Sequence, residues 1–362
     1  MANSKIVFGQ ELKEELVDKG VDASLLDFES LILYGKNNIE ILDYSNVFLK
    51  YKNMPKISMF FRMLYIKRVI ENNDFDIVNI HVSRWYYLVI LSTLIKQKLV
   101  ITFYGSDFYR TNNFIKKIQK FIYKKADKIT FTNPLTRQSF LDHYKQFDEK
   151  SYVCRFGLKT LDYIDENRDK NREDIKKFLG YNQQKIIVTC GYNSTKAQQH
   201  EEIIDNIMKL PSETVKNVQF LFPMTYGDNE NKEKIKQRLK KTNLDYIVLE
   251  DFLYENDNAF VKLGSDIMVN VLASDSFSGS MQEFLYAKNV VITGSWLPYK
   301  LFDEVGVNYY KIKHVNELAH ILKRVIDDID TFKKNLDKNL ALIYQLSSWK
   351  NNIKNWIAVY EN

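Results

Sequence analysis

Proline and glycine are scarce in this chain, five and twelve among 362 residues. That scarcity excludes collagen-like sequence and argues against long flexible linkers and low-complexity disorder. Only two cysteines occur, Cys154 and Cys190, in or beside the apolar runs "SYVCRFG" and "KIIVTCG". Thiols so placed read as buried and inert, not as a disulfide or a nucleophile. The longest apolar run, "WYYLVILSTLI" from Trp85, is too short to span a bilayer. The opening "MANSKIVFGQELKEELVDKG" turns charged too early for a secretory signal, so a cytoplasmic protein is expected. The five histidines, His81, His143, His200, His314 and His320, show no metal-ligand spacing. The acidic "DDID" (327–330) falls on a helical, solvated stretch, and no metal site is expected. No repeat of solenoid period is visible.

What is present fits a soluble globular chain long enough for two domains, with 45% hydrophobic and 27% charged residues. The formal net charge is +6, and it is unevenly placed. Residues 1–165 hold 25 Lys+Arg against 19 Asp+Glu, and the remainder holds 27 of each. The surplus is too small, and too lacking in recognition motifs, for a nucleic-acid partner.

Strand-like and helix-like stretches alternate. In the first half, "FDIVNIHV" (75–82), "KLVITFYG", "KITFTN" and "KSYVCRFG" read as strands, with "WYYLVILSTLIKQ" and "TNNFIKKIQKFIYKKAD" as helices between them. The charged stretch 165–184 reads as a linker. A second alternation follows, with "KIIVTCG", "VQFLFPM", "YIVLEDF", "DIMVNVL" and "VVITG" as strands. The expectation is two Rossmann-like α/β domains, 1–165 and 166–345, facing across a cleft. A terminal segment, 346–362, carries Trp349, Ile353, Trp356 and Ile357 at helical spacing.

Two fragments carry chemistry. In "CGYNSTKAQQHEEII", Gly191 ends a strand and Lys196 stands near a helix start. A helix N-terminus with an adjacent lysine suits a phosphate, although Thr195-x-x-Gln198 can equally form a plain capping box. In "SDSFSGSMQEFLYAKNVVIT", Asp275 follows a strand and Glu283 falls in the first turn of the next helix. Carboxylates there can accept hydrogen bonds from vicinal sugar hydroxyls. Ser280-x-x-Glu283 is itself a possible capping box that needs no ligand.

The second fragment resembles the donor-site signature of retaining GT-B glycosyltransferases of family 4, an acid, seven residues, then Glu. Asp275, Phe277, Glu283 and Ala287 fall in register with it. "FDIVNIHVSRW", "VITFYGSDFYR" and "VCRFGL" resemble further family segments. "GYNSTKAQQH", "FLFPMTYG" and "VVITGSWLPY" are similar to the branch of the bacterial 4-acetamido-4,6-dideoxygalactose (Fuc4NAc) transferases. "LSSWKNNIKNWIAVY" resembles that family's terminal helix, which crosses back to the N-terminal domain.

The resemblance implies a metal-independent, retaining transfer from a nucleotide-diphosphate sugar, with no cofactor. It implies a catalytic role for Lys196, Asp275 and Tyr104. Donor contacts fall to Gly191, Lys196, Asp275, Ser278, Gly279, Ser280 and Glu283, and acceptor-side positions to His81, Gly105 and Asp107. Within the set, Glu283 binds ribose and Lys196 neutralises the diphosphate. Asp275 replaces a Glu, Tyr192 replaces an Arg, and Tyr104 replaces a His of the family pattern.

The segment 110–128 holds seven Lys+Arg and one acid. Phe114, Ile118, Phe121 and Ile122 make one helical face, and Lys116, Lys117, Lys120 and Lys124 another. The lysine face suits an anionic membrane near a lipid-linked glycan acceptor, or is only a solvated back. The leading reading is a glycosyltransferase of surface-polysaccharide synthesis, peripheral at the inner face of the plasma membrane. Two others stand beside it: a non-catalytic glycan-binding subunit of the same fold, and a sugar-nucleotide epimerase.

Overall fold

The computed structural model describes residues 4–27, 33–35, 39–40, 55–82, 96–104, 108 and 113–361 apart from 276. The chain divides into two compact units, residues 1–157 with 352–362, and residues 158–351. The sequence pattern places the boundary at 165, eight residues later.

The first unit opens with the helix Ser4–Asp18 and three short antiparallel strands, β1 (Leu25–Leu26), β2 (Leu33–Tyr34) and β3 (Ile39–Glu40). After the helix Pro55–Asn72 comes a parallel sheet of β4 (Ile77–His81), β5 (Lys98–Phe103), β6 (Lys128–Phe131) and β7 (Ser151–Val153), paired in that order. The helices Asn113–Lys125 and Pro134–Tyr144 connect these strands. The latter starts cleanly because Asn133 accepts a 2.7 Å hydrogen bond from Leu135 N and Pro134 stands at its first position. The expected helix "WYYLVILSTLIKQ" lies almost wholly outside the described residues.

The C-terminal helix Trp349–Glu361 returns to this unit. Trp356 is fully buried, and its indole N–H donates to the Arg155 carbonyl at 2.9 Å. Asn79 on β4 donates to the Tyr360 hydroxyl at 2.7 Å and accepts from Thr102 on β5 at 2.9 Å, so polar groups as well as rings seat the helix.

The second unit is a six-stranded parallel sheet. In chain order its strands are β8 (Ile186–Cys190), β9 (Val218–Pro223), β10 (Tyr246–Leu249), β11 (Ile267–Asn270), β12 (Val290–Gly294) and β13 (Tyr310–Ile312). Their spatial order is β10-β9-β8-β11-β12-β13, the doubly wound Rossmann arrangement. Strands β9, β11 and β12 are buried along their whole length, which accounts for unbroken runs such as "VVIT". The stretch 165–184 is not a linker. It holds the end of the helix Thr160–Asn167 and all of Arg172–Phe178, with Leu161, Ile164 and Ile175 buried. Most of its charges are exposed and mask the short apolar stripe beneath, but Lys176 is buried and Arg172 turns toward Asp266.

Candidate functional site

In the second unit the strand order reverses between β8 and β11, and open α/β sheets bind ligands beyond the strand ends at such a point. The loops leaving these two strands are knitted together. Gly191 N donates to Val269 O at 2.9 Å, and Ala273 N donates to Ala197 O at 2.8 Å. Gly191 has φ +69°, and a Cβ there would lie 2.7 Å from Gln198 Oε1, so only glycine fits the turn. Gln198 Oε1 accepts from Tyr192 N at 3.2 Å, and Asn193 Oδ1 accepts from Thr195 N at 2.9 Å. A neighbouring glycine, Gly227 at φ +122°, lets the chain pass under Ser194 and Thr195.

Both carboxylates reach this crevice, but each is already engaged. Asp275 Oδ2 accepts a short hydrogen bond from the Tyr299 hydroxyl, which also takes one from Asn270 at 3.1 Å. Glu283 is buried and pairs with Lys262 at 3.2 Å, a lysine that is itself buried and hydrogen-bonded to Asn258. Three tyrosines, Tyr192, Tyr226 and Tyr299, surround the two acids. Burial foremost, and the Asp275 charge after it, push the Tyr192 and Tyr299 hydroxyls above their ordinary pKa. The Tyr192 side chain is hydrogen-bonded to Ser278 and Gln198.

Neither expected capping box forms. Thr195 makes no side-chain cap, and a three-residue 3-10 turn, Lys196–Gln198, replaces the helix start. The helix proper begins at His200, after Gln199 in the left-handed region at φ +56°. The second box fails because Ser278, not Ser280, is the N-cap; it accepts from Met281 N at 3.0 Å. The helix therefore runs Gly279–Tyr286, and Glu283 falls in its second turn, turned toward Lys262. Gly279 and Ser280 occupy its first turn, where amides have no intrahelical acceptor. Lys196 stands with 70% of its side chain exposed, 3.8 Å from Asp228.

Lys262, Tyr226 and Tyr299 escaped the sequence reading. Lys262 sits in an ordinary amphipathic helix, Glu255–Gly264, and only the fold turns it toward Glu283. Among the described residues no group of three His, Cys, Asp or Glu side chains comes together. Both thiols are buried, and burial raises that of Cys154 to about 12.

In the first unit, His81 ends β4 and Tyr104 follows β5. His81 Nδ1 and the Tyr104 hydroxyl are 2.9 Å apart. Phe156 stacks on Tyr104 with ring centroids 5.3 Å apart, and Trp356 lies parallel to His81. Burial lowers the His81 pKa to about 4, so the ring is neutral near pH 7. The next residue, Val82, has φ +66°, an outlier for a β-branched side chain. Gly105 and Asp107 lie outside the described residues.

The basic helix Asn113–Lys125 is oriented differently from expectation. Gln119, Ile122 and Tyr123 face the core, while Phe114 and Phe121 are 70% and 63% exposed. Lys117, Lys120, Lys124 and Lys125 share that outer surface. Lys116 is turned in, its ammonium 4.7 Å from the Phe108 ring centroid. Among the described residues no helix is long and apolar enough to cross a membrane.

Residues 15–133 match the family model for glycosyl transferase 4-like proteins. No curated protein matches the chain. Sucrose-phosphate synthase from Thermosynechococcus elongatus superposes with a TM-score of 0.73 at 13% identity, over 99% of this chain and 93% of that one. A glycosyltransferase from Rickettsia africae gives 0.72 at 16%, over 98% and 93%. Anabaena HepE, solved with UDP-glucose, gives 0.65 at 13%, over 83% and 82%. What the chain shares with these proteins is the fold, two Rossmann-like α/β units of the GT-B type.

Proposed function

We propose that the chain is a glycosyltransferase that moves a sugar from a nucleoside diphosphate to a glycan acceptor. The observation that carries this is the β8–β11 crevice, where a glycine turn, a helix N-terminus and two carboxylates meet. Glu283 accepts the ribose hydroxyls with the carboxylate edge that Lys262 leaves open. Asp275, held by Tyr299, faces the transferred sugar. The departing diphosphate draws on the first-turn amides of the Gly279 helix and on Lys196, so that preorganised donors take up the developing charge without a divalent metal. The likeness to family 4 supports retention of configuration and a role in bacterial surface glycans. The outward Phe114 and Phe121 among lysines support docking on an anionic membrane, where a lipid-linked acceptor resides.

A thermal-shift panel of nucleoside diphosphates and their sugars tests the donor. A specific donor stabilises the protein by about 2.7 kcal/mol at about a hundredfold excess over Kd. UDP and UDP-glucose come first in the panel, since HepE binds UDP-glucose. If no nucleotide shifts the melting temperature, the reading is wrong.

One alternative has a specific observation behind it. Tyr192 leaves the glycine turn with a neutral side chain where the family 4 pattern that the sequence resembles has an Arg, as suits a non-catalytic glycan-binding subunit. Donor binding with no turnover in the presence of any glycan would favour that subunit.

A further inference from the structure

The second unit holds a cavity of about 310 Å³ that glycosyl transfer does not use. That size is at the lower end for small-molecule sites, about 300 Å³. Five cations line it: Arg168, Lys170, Arg172, Lys288 and Lys333. It lies at the opposite edge of the sheet from Gly191 and Asp275. Its floor is next to Asp266, which precedes β11, accepts from Ile187 N on β8 at 3.0 Å, and through its carbonyl takes Val290 N on β12. Strands of this length put roughly 15 Å between the two edges.

The charges do not balance there. Asp266 meets Arg172 at 2.7 Å, Lys333 at 2.6 Å and Lys176 at 3.8 Å, one carboxylate against three cations. Burial raises its pKa, but Lys333 and Arg172 outweigh that and hold the group at about 2, so it is fully ionised. Arg168 pairs with Asp165, and Lys288 with the exposed Asp337. Lys170 sits over the Phe260 ring, and among the described residues no carboxylate forms a salt bridge with it. Like charges brought together around a cavity repel unless an anion joins them.

A second observation is independent of the first. Lys288 has φ +61°, just past the end of the Gly279–Tyr286 helix. Helices favour glycine there, because a Cβ in the left-handed region crowds the following carbonyl oxygen. A lysine at this position is held against the backbone preference; it lines the cavity while its ammonium pairs with the exposed Asp337.

We propose that this cavity is a second anion site, taking the pyrophosphate or phosphomonoester group of a small molecule. Arg168 and Arg172 already donate to Asp165, to Asp266 and to the carbonyls of Tyr286, Leu263, Gly264 and Ser265, so they supply positive field, and the Lys170 ammonium is the donor that suits the tetrahedral oxygens of such a group.

The probe is sodium pyrophosphate, titrated calorimetrically into the full chain at constant ionic strength. Three variants are titrated beside it: Lys170→Gln, Lys288→Gly and, as a report on the nucleotide crevice, Lys196→Gln. The proposal expects saturable binding that weakens at least tenfold in both cavity variants and persists in Lys196→Gln. Lys288→Gly should melt no lower than the unaltered protein, because glycine suits the backbone, so its loss of binding is not a loss of fold. Absence of saturable binding overturns the proposal, and so does anything less than a fall in both cavity variants. Binding lost only in Lys196→Gln places the anion at the nucleotide crevice and also overturns it. Nucleotide binding is measured separately, so either site can fail without the other.

Discussion

Glu283 and Lys262 are a buried ion pair, and removing one partner strands the other. Glu283→Gln should weaken nucleotide binding, and it should also destabilise the unit by roughly 3 kcal/mol. Loss of both properties in one variant would not separate ligand from fold. The double variant Glu283→Gln with Lys262→Met removes the stranded charge. Its melting temperature should recover while nucleotide affinity stays low; recovery of both would mean that Glu283 does not touch the donor. Tyr299→Phe keeps the ring and deletes the hydroxyl that holds Asp275. Turnover should fall about tenfold, the equivalent of ~1.4 kcal/mol, with nucleotide affinity unchanged. A rise in nucleotide Kd instead would place Tyr299 in binding. Two histidines set an acid limit. Burial lowers His81 and His200 from 6.5 to about 4 in the folded chain. Below pH 6.5 the unfolded chain takes up protons that the folded chain refuses, so stability present above that pH is lost as pH falls toward 4. Melting temperature against pH should bend downward in that window, and His200→Leu should flatten the bend.

At the scale of one element, the helix Asn113–Lys125 makes the sharpest claim. Five lysines and no acid give it charge, but charge alone holds a protein near lipid only loosely. The exposed Phe114 and Phe121 add apolar area that can enter the acyl boundary. Co-sedimentation with anionic vesicles should therefore survive moderate salt in the unaltered chain. It should become fully salt-sensitive in Phe114→Ser with Phe121→Ser, and vanish in Lys117→Gln, Lys120→Gln and Lys124→Gln together. Equal sedimentation with neutral vesicles would refute an electrostatic contribution. Lys116 should matter least, since it faces Phe108. The helix and its charge were legible in the sequence. Its rotation was not, because an aromatic at helical spacing reads as core, and here the core took Gln119 and Tyr123 instead.

For the whole molecule, the last eleven residues belong with the first unit. Removing residues 352–362 takes away Trp356, its bond to Arg155 and its packing against Phe156 and His81. Losing a buried tryptophan costs roughly 3–5 kcal/mol, so the truncated chain should show a lowered first transition in calorimetry. An unchanged thermogram would mean that the tail contributes nothing to that unit.

Much was decided along the chain itself. Short, uninterrupted β-branched runs such as "KIIVTC" and "VVITG" read as strands buried on both faces, and their alternation with helices points to parallel α/β units. Glycine at 191 follows from the same local logic, since a tight turn after a strand needs a positive φ. Tertiary structure decided whatever depends on partners distant in sequence. Ser278 took the cap that Ser280 could equally have supplied, because the path from β11 set where the helix begins. Glu283 met Lys262, Asp275 met Tyr299, and six cations converged near Asp266, across separations of up to 98 residues. No local pattern encodes such meetings. They arise when a sheet order places strand ends side by side, and that order is a property of the folded chain alone.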